Sequence, residues 1–216
     1  MKPSLAACTV ATVVALVACA PPGWPADHGR ACASPRGQDL SARQVDGDTL
    51  SQRRLVCVNL ERSTLAGEEV DDANLHRADL YQAHLGESTL DHVDLGGADL
   101  TGADLHDASL TAVDLGGATL TSADLSGANV KFGNLRRSDV SSANLRSTIF
   151  AESDLGGADL RSADLTDASL LNSNLRGASL DGARLQDVTW ENAVCPDGHK
   201  SGGSPESCNG HLRTGG

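Results

Sequence analysis

The sequence predicts an all-β solenoid, a chain that turns a corner every five residues and stacks its coils on one another. Three observations carry this. From Asp71 to Cys195 the chain divides into pentads with no insertion, and Leu closes most of them. Aromatic residues make up only 2% of the chain although apolar residues reach 39%; Ala, Leu and Val supply them, so the core must be narrow, with backbone passing close to backbone. The departures from Leu are also sorted: Val70, Val130, Phe150 and Trp190 are separated by multiples of twenty residues.

The stretch GGADLTGADLHDASLTAVDL (residues 96–115) shows the unit plainly. With the last position called i, Leu fills it in twenty of the twenty-five pentads; Val130, Val140, Phe150, Trp190 and Cys195 are the exceptions. Position i−2 is Ala in sixteen pentads and otherwise Ser, Val, Thr or Gly, and position i−1 is mostly Asp or Asn. A period of five suits neither a helix, where 3.6 residues per turn would smear Leu around the surface, nor a flat strand, where odd spacings alternate faces. It suits regular corners. Leu at i fills the lumen, each buried side chain stabilising by roughly 1.5–3 kcal/mol. Position i−2 points inward with room for little more than a methyl group. Asp or Asn at i−1 can hydrogen-bond the local turn, as short polar side chains do.

The pattern A-(D/N)-L-x-x resembles the pentapeptide-repeat family over more than half of the chain, and imperfect pentads (VCVNL, ERSTL, AGEEV) reach back to Val56. The resemblance implies a right-handed quadrilateral parallel β-helix with four pentads per coil. About seven coils from residue 56 to 195 would make a rod roughly 34 Å long at the usual inter-strand spacing. The core of the repeat would include Leu75, Leu95, Leu115, Phe150, Leu170 and Trp190. The sequence supports four sides independently. The i−1 series Glu69, Thr89, Ser109, Asn129, Ile149, Ser169 and Thr189 contains no Asp, and Val93 and Val113 lie one coil apart. Glu68 occupies an inward position, so the coil is expected to be distorted or looped there.

The N-terminus reads as an address. Residues 1–18 form a signal segment: Lys2 precedes an apolar run from Leu5 to Ala18 that is too short to span a membrane. Leu16-Val17-Ala18-Cys19 looks like a bacterial lipobox, which implies cleavage before Cys19 and lipidation of that residue. Residues 19–37, with Pro21, Pro22, Pro25 and Pro35, read as a flexible tether. Residues 38–55 keep Leu40, Val45, Leu50 and Leu55 in register but place Arg43, Asp48 and Arg53 at inward positions, and are expected to be an N-terminal cap preceding the repeat of 56–195. With Cys19 lipidated, four cysteines remain beyond the signal segment. Three pairings are open to them, and the local ones, Cys32–Cys57 and Cys195–Cys208, are preferred. The tail AVCPDGHKSGGSPESCNGHL resembles a C-terminal element of exported bacterial pentapeptide proteins, and 196–216 is read as a disulfide-closed cap and tail with Trp190 plugging the last coil.

No catalytic set emerges. Most carboxylates sit at i−1, where the repeat explains them, and His76, His84, His92 and His106 occupy different columns. Cys195, Cys208, His199 and His211 could hold zinc, but an exported chain favours the disulfide. Neither the DGD at 46–48 nor PDGHKSGG has the context of a calcium or phosphate loop. No metal, no cofactor and no enzymatic activity are expected. A net charge of −12 opposes nucleic-acid binding. The expected function is that of a non-catalytic, membrane-anchored extracytoplasmic scaffold or protein-binding rod, held through lipid on Cys19, monomeric, with an unspecified protein partner. It would sit on the bacterial membrane or cell surface, the outer membrane where there are two. The alternative implied by the family is an acidic DNA mimic that binds a type II topoisomerase; the export signal opposes it.

Overall fold

In the computed structural model the described residues are 38–202, 208–210 and 212. Cys19 and Cys32 lie outside them. The backbone pairs in parallel at one register throughout: Asp39 with Asn59, Asp99 with Thr119, Asn174 with Val194. Only one face is flat enough over consecutive residues to form named strands, β1 (Glu69–Asp71) and β2 (Thr89–Asp91), again twenty residues apart. The chain is thus a right-handed quadrilateral β-helix of four pentads per coil.

One pentad shows how completely the repeat serves its backbone. The Asp99 N–H donates to Ala78 O in the coil below, and Leu100 and Gly102 donate to Thr119 O and Thr121 O in the coil above. Ala103 N–H closes the corner onto Leu100 O at 3.0 Å, and the remaining donor, Thr101 N–H, goes to the Asp99 side chain at 3.0 Å. All five donors are satisfied, which a narrow, tightly stacked tube requires. The preference for Asp or Asn at i−1 therefore has a structural cause: it supplies the acceptor that no neighbouring coil can. The third position of each corner takes a positive φ at every fifth residue from Gln52 to Asn192, usually at a residue other than Gly. With the corner hydrogen bond this makes type II turns.

The lumen is filled as the repeat demands. Leu75, Leu95, Leu115, Phe150, Leu170 and Trp190 are all buried in one continuous cluster. Inward hydroxyls are accommodated by corner carbonyls: Ser88 donates to Leu85 O, Ser138 to Leu135 O, Thr148 to Leu125 O and Ser153 to Val130 O, all at 2.7–2.8 Å. Ser63 Oγ alone among these is buried without a partner.

The coil register begins at Asp39, ahead of residue 56, and adds one coil to the seven expected. Leu40, Val45 and Leu50 are buried like any repeat residue. Among the described residues no coil lies beneath the first one, and Arg43 and Asp48 are exposed instead of occupying the lumen. The distortion expected at Glu68 is not found there, where the corner closes regularly with Glu68 N–H on Leu65 O; the irregular segment lies one coil earlier, a single helical turn, α1 (Gly47–Leu50), whose N-cap Asp46 accepts from Asp48 N–H. Glu68 Oε2 accepts from Gly47 N–H at 2.9 Å across the coils. Gly47 is required by close approach: a Cβ there would lie 2.0 Å from Glu69 O, which is backbone and cannot yield. Gly47→Ala is expected to cost about 1–3 kcal/mol and to lower hydrogen-exchange protection in residues 39–58 while leaving the C-terminal coils unchanged.

At the other end Cys195 N–H donates to His199 O, and Val194 pairs antiparallel with Lys200, turning the chain back over the last coil. Ser201 N–H donates to Ala193 O and its hydroxyl to Trp190 O. Cys195 and Cys208 form a disulfide with a Cα–Cα distance of 5.5 Å, both residues fully buried. A short 3₁₀ turn, Cys208–Gly210, follows, and Leu212 packs on the core.

Candidate interaction surfaces

Stacking at twenty residues turns each i−1 series into a row along one face. Three of the four rows are rich in carboxylates, for example Asp94, Asp114 and Asp154 with Asn74, Asn134 and Asn174 interspersed. The asparagines separate the charges: Asn134 donates to Asp114 at 2.8 Å, Asn174 to Asp154 at 2.9 Å and, on the opposite face, Asn144 to Asp124 at 2.9 Å. Arginines do the same from the corners, with Arg136 on Asp154 at 2.9 Å and Arg161 on Asp159. The side-chain hydrogen bond from Arg161 holds Asp159 below the usual carboxylate range, and that from Thr166 does so for Asp164. The fourth row carries Glu69 at its start and no charge from Thr89 through Ser109, Asn129, Ile149 and Ser169 to Thr189.

The histidines do not converge. His76 faces Asp94 at 3.3 Å, and His106 Nδ1 lies 2.6 Å from Asp104 with Glu87 3.9 Å from its Nε2. His106 occupies its seat because residue 86 is Gly; a Cβ at that position would meet the imidazole at 2.2 Å. The hydrogen bond and charge of Asp104 raise the His106 pKa above its ordinary value. Burial of Asp104 would push its carboxyl up, but the hydrogen bonds and charge of His106, with a contribution from His84, leave it lowered.

The pair therefore stabilises in a window. The raised histidine contributes fully below pH 6.5 and loses its contribution as pH rises through its folded pKa. The lowered aspartate contributes above pH 3.8 and loses it as pH falls through its own. His106→Ala is expected to destabilise by under ~1 kcal/mol between these limits, because the ring is exposed, and progressively less as pH rises through the raised pKa of the histidine. Gly86→Ala, which displaces the ring, is expected to return the His106 titration seen by NMR toward its ordinary value.

Asp104, His106, Asp107, Asp124, Asn144 and Arg146 line a shallow open groove across three coils. Among the described residues no group of three or more His, Cys, Asp and Glu is arranged to hold a metal ion. Cys195 and Cys208, half of the zinc set weighed from sequence, are joined to each other, and His199 Nδ1 lies 2.9 Å from Asp197; His211 lies outside the described residues. Cys57 is disulfide-bonded. Its expected partner, Cys32, lies outside the described residues, as does Cys19. No described helix is long and apolar enough to cross a membrane.

The sequence pattern left one surface feature unjoined. Phe132 is 49% exposed and Ile149 43%, and both belong to the uncharged face or the corner that follows it. In the sequence they occupy different pentad positions, and only the stacking of coils places them on neighbouring turns.

The pentapeptide-repeats family profile matches eight copies, covering residues 71–107, 103–141, 123–162, 139–177 and 153–192. A search of curated proteins gives no match. Among solved structures the chain is similar to HetL, a pentapeptide repeat protein involved in heterocyst differentiation regulation in the cyanobacterium Nostoc sp. strain PCC 7120. The identity is 26%, the match covers 75% of this chain and 89% of that one, and the TM-score is 0.44. It is also similar to QnrB1, a plasmid-mediated fluoroquinolone resistance protein, at 13% identity over 70% of this chain and 91% of that one, with a TM-score of 0.44. A third similarity, 24% identity over 45% of this chain and 61% of that one with a TM-score of 0.27, is to a pentapeptide repeat protein of the Arabidopsis thaliana thylakoid lumen. With the profile matched across the coils and the twenty-residue register on all four faces, the chain belongs to the pentapeptide-repeat family.

Proposed function

We propose that this protein is a non-catalytic rod, exported and anchored to a bacterial membrane by lipid on Cys19, that binds or positions another protein through its faces. The observation that carries the reading is the disulfide between Cys195 and Cys208, buried at the end of the coil. Disulfides of this kind form and persist in oxidising compartments, in accord with an address at the N-terminus. The lipobox Leu16-Val17-Ala18-Cys19 and the Pro-containing tether support the anchor. The flat faces of the rod, with ordered rows of short polar side chains, offer a surface for a macromolecule.

Palmitate labelling and membrane fractionation of the full chain test this directly, with Cys19→Ala as the control. Label and membrane association, both lost in the variant, are expected. In-cell crosslinking with mass spectrometry then identifies the partner. The acidic rows favour one competing reading, a DNA mimic that binds a type II topoisomerase in the cytosol. A soluble cytosolic product that inhibits gyrase would establish that reading and overturn the first.

A further inference from the structure

We propose that one corner of the rod, running from Val56 to Gly177, is the side it turns to the anionic headgroups of the membrane that anchors it; the inference rests on the anchored reading above. The corner is the one that follows the row of Asn74, Asp94 and Asp114. It holds Arg77, Arg136, Arg137 and Arg176, with glycine pairs at 96–97, 116–117 and 156–157 between them. No carboxylate lies on it over that length, in a chain of net charge −12. The corner diagonally across, half a coil away, carries Glu87, Asp107, Asp167 and Asp187 against Arg146. The rod is therefore polarised across its width.

The guanidiniums stand where a flat surface meets them first. Arg136, Arg137 and Arg176 are exposed. Arg136 reaches Asp154 at 2.9 Å, but the Arg137 and Arg176 side chains have no ion-pair partner among the described residues. Glycine gives the stems their bed. A Cβ at Gly157 would lie 3.6 Å from Arg137 Cγ and one at Gly97 3.5 Å from Arg77 Cγ, so both stems run along the ridge over bare backbone. The carboxylates of the preceding row are set back: Asp94, Asp114 and Asp154 accept from Gly96, Gly116 and Gly156 N–H at 2.8–2.9 Å, which holds them against the turn. Counted with the i−1 rows on both sides, and with Asp197 beyond its end, this corner is still less negative than each of the other three by three charges. Over a Debye length of about 8 Å, long cationic side chains at the edge outweigh short anionic ones on faces that slope away.

The anchor arrives at this same corner. Cys57 lies on it and is disulfide-bonded. Cys195 and Cys208 are joined to each other, so with Cys19 lipidated and the signal segment removed, Cys32 is the cysteine left to Cys57. Cys19 and Cys32 are thirteen residues apart, a contour of at most about 45 Å. The corner from Cys57 to Gly177 spans six inter-coil steps, about 29 Å, so the rod can lie along the bilayer with its arginines at headgroup level. Val56, one of three large hydrophobic side chains exposed among the described residues, stands beside Cys57 at the anchored end. This selects the occupant. A soluble polyanion meets a chain of −12 and is repelled at a distance. A bilayer to which the chain is tied is held at high effective concentration, and only the side that faces it remains to be decided. Guanidinium forks match phosphate oxygens there.

The test is photo-crosslinking of the full lipidated chain to vesicles made of three parts phosphatidylglycerol and seven of phosphatidylcholine. A benzophenone amino acid replaces Arg136 on the basic corner or Arg146 on the opposite one. Both are exposed, both pair with an aspartate, and they lie half a coil apart, so they are equally far from the anchored end. Crosslinking to lipid is expected to be at least fivefold greater from position 136, and the difference should vanish in phosphatidylcholine alone and in molar sodium chloride. Arg137→Glu with Arg176→Glu should abolish it with an unchanged circular dichroism spectrum, since neither side chain has an ion pair to lose. Arg137→Lys with Arg176→Lys should keep most of it. Equal yields from the two positions, a difference that persists in neutral vesicles or in salt, or one that survives the double charge reversal would each overturn the proposal. Palmitate labelling reads the anchor separately: label with equal yields sinks the orientation alone, and no label sinks the anchored reading and this inference with it.

Discussion

Phe150→Ala is expected to lower the unfolding free energy by about 3–5 kcal/mol, the range for removing a fully buried ring. Phe150 sits in the lumen between Val130 below and Leu170 above, all three with no exposed surface. The extra volume of the ring is matched by the missing methylene of Val130, so the column conserves volume even though neither residue is the consensus Leu. This makes a sharper test than truncation alone. Val130→Leu beside Phe150 should overpack the tube and cost about 1–3 kcal/mol, whereas Val130→Leu with Phe150→Leu restores the regular ladder at under ~1.5 kcal/mol. Urea denaturation of the three variants, read by circular dichroism, checks the order. If the double variant were no better than the truncation, the two residues would not be packing against each other.

Removing the C-terminal disulfide carries the second large effect. Cys195 and Cys208 are thirteen residues apart, and loop closure of that length is worth about 3 kcal/mol in the chain-entropy description. Cys195 also fills a lumen position, so Cys195→Ala with Cys208→Ala removes core as well as crosslink, and the double variant should lose more than reduction of the native chain does. In a solenoid each coil contacts only its neighbours. The loss should therefore appear as fraying: hydrogen-exchange protection falls in the coil that ends at Trp190 and Cys195, while the coil containing Asp39 and Asn59 stays protected.

These two predictions differ in how far they could be read from sequence. Phe150 and Trp190 stand out as breaks in a series of leucines, and their common spacing already assigns them to one column. The disulfide partner of Cys195 was a choice among three pairings, made by proximity and resemblance. The first coil was harder. Arg43 and Arg53 at nominally inward positions argue against a repeat if every coil is assumed to have a neighbour on both sides, and the first coil has one on only one side among the described residues. Glu68 was legible as an anomaly but not as a solution, because its partner is a backbone N–H contributed by Gly47 twenty-one residues earlier.

The surface divides in the same way. The row without Asp was visible as a series of letters at intervals of twenty. Its association with Phe132 was not, since Phe132 occupies a corner position that tolerates almost any residue and conveys no pattern. The His106–Asp104 pair is separated by only two residues, yet it owes its geometry to the absence of a side chain at Gly86 in the coil below.

The order of letters by itself determined the period, the inward and outward sides, the lumen residues and the number of faces, because each depends on whether one side chain fits a slot of given volume at its own position in the turn. The tertiary structure alone decided how the ends close, which anomalies are satisfied across coils, and which exposed residues become neighbours. Those outcomes depend on atoms about twenty residues apart meeting at the inter-strand distance, a relation that no local preference encodes.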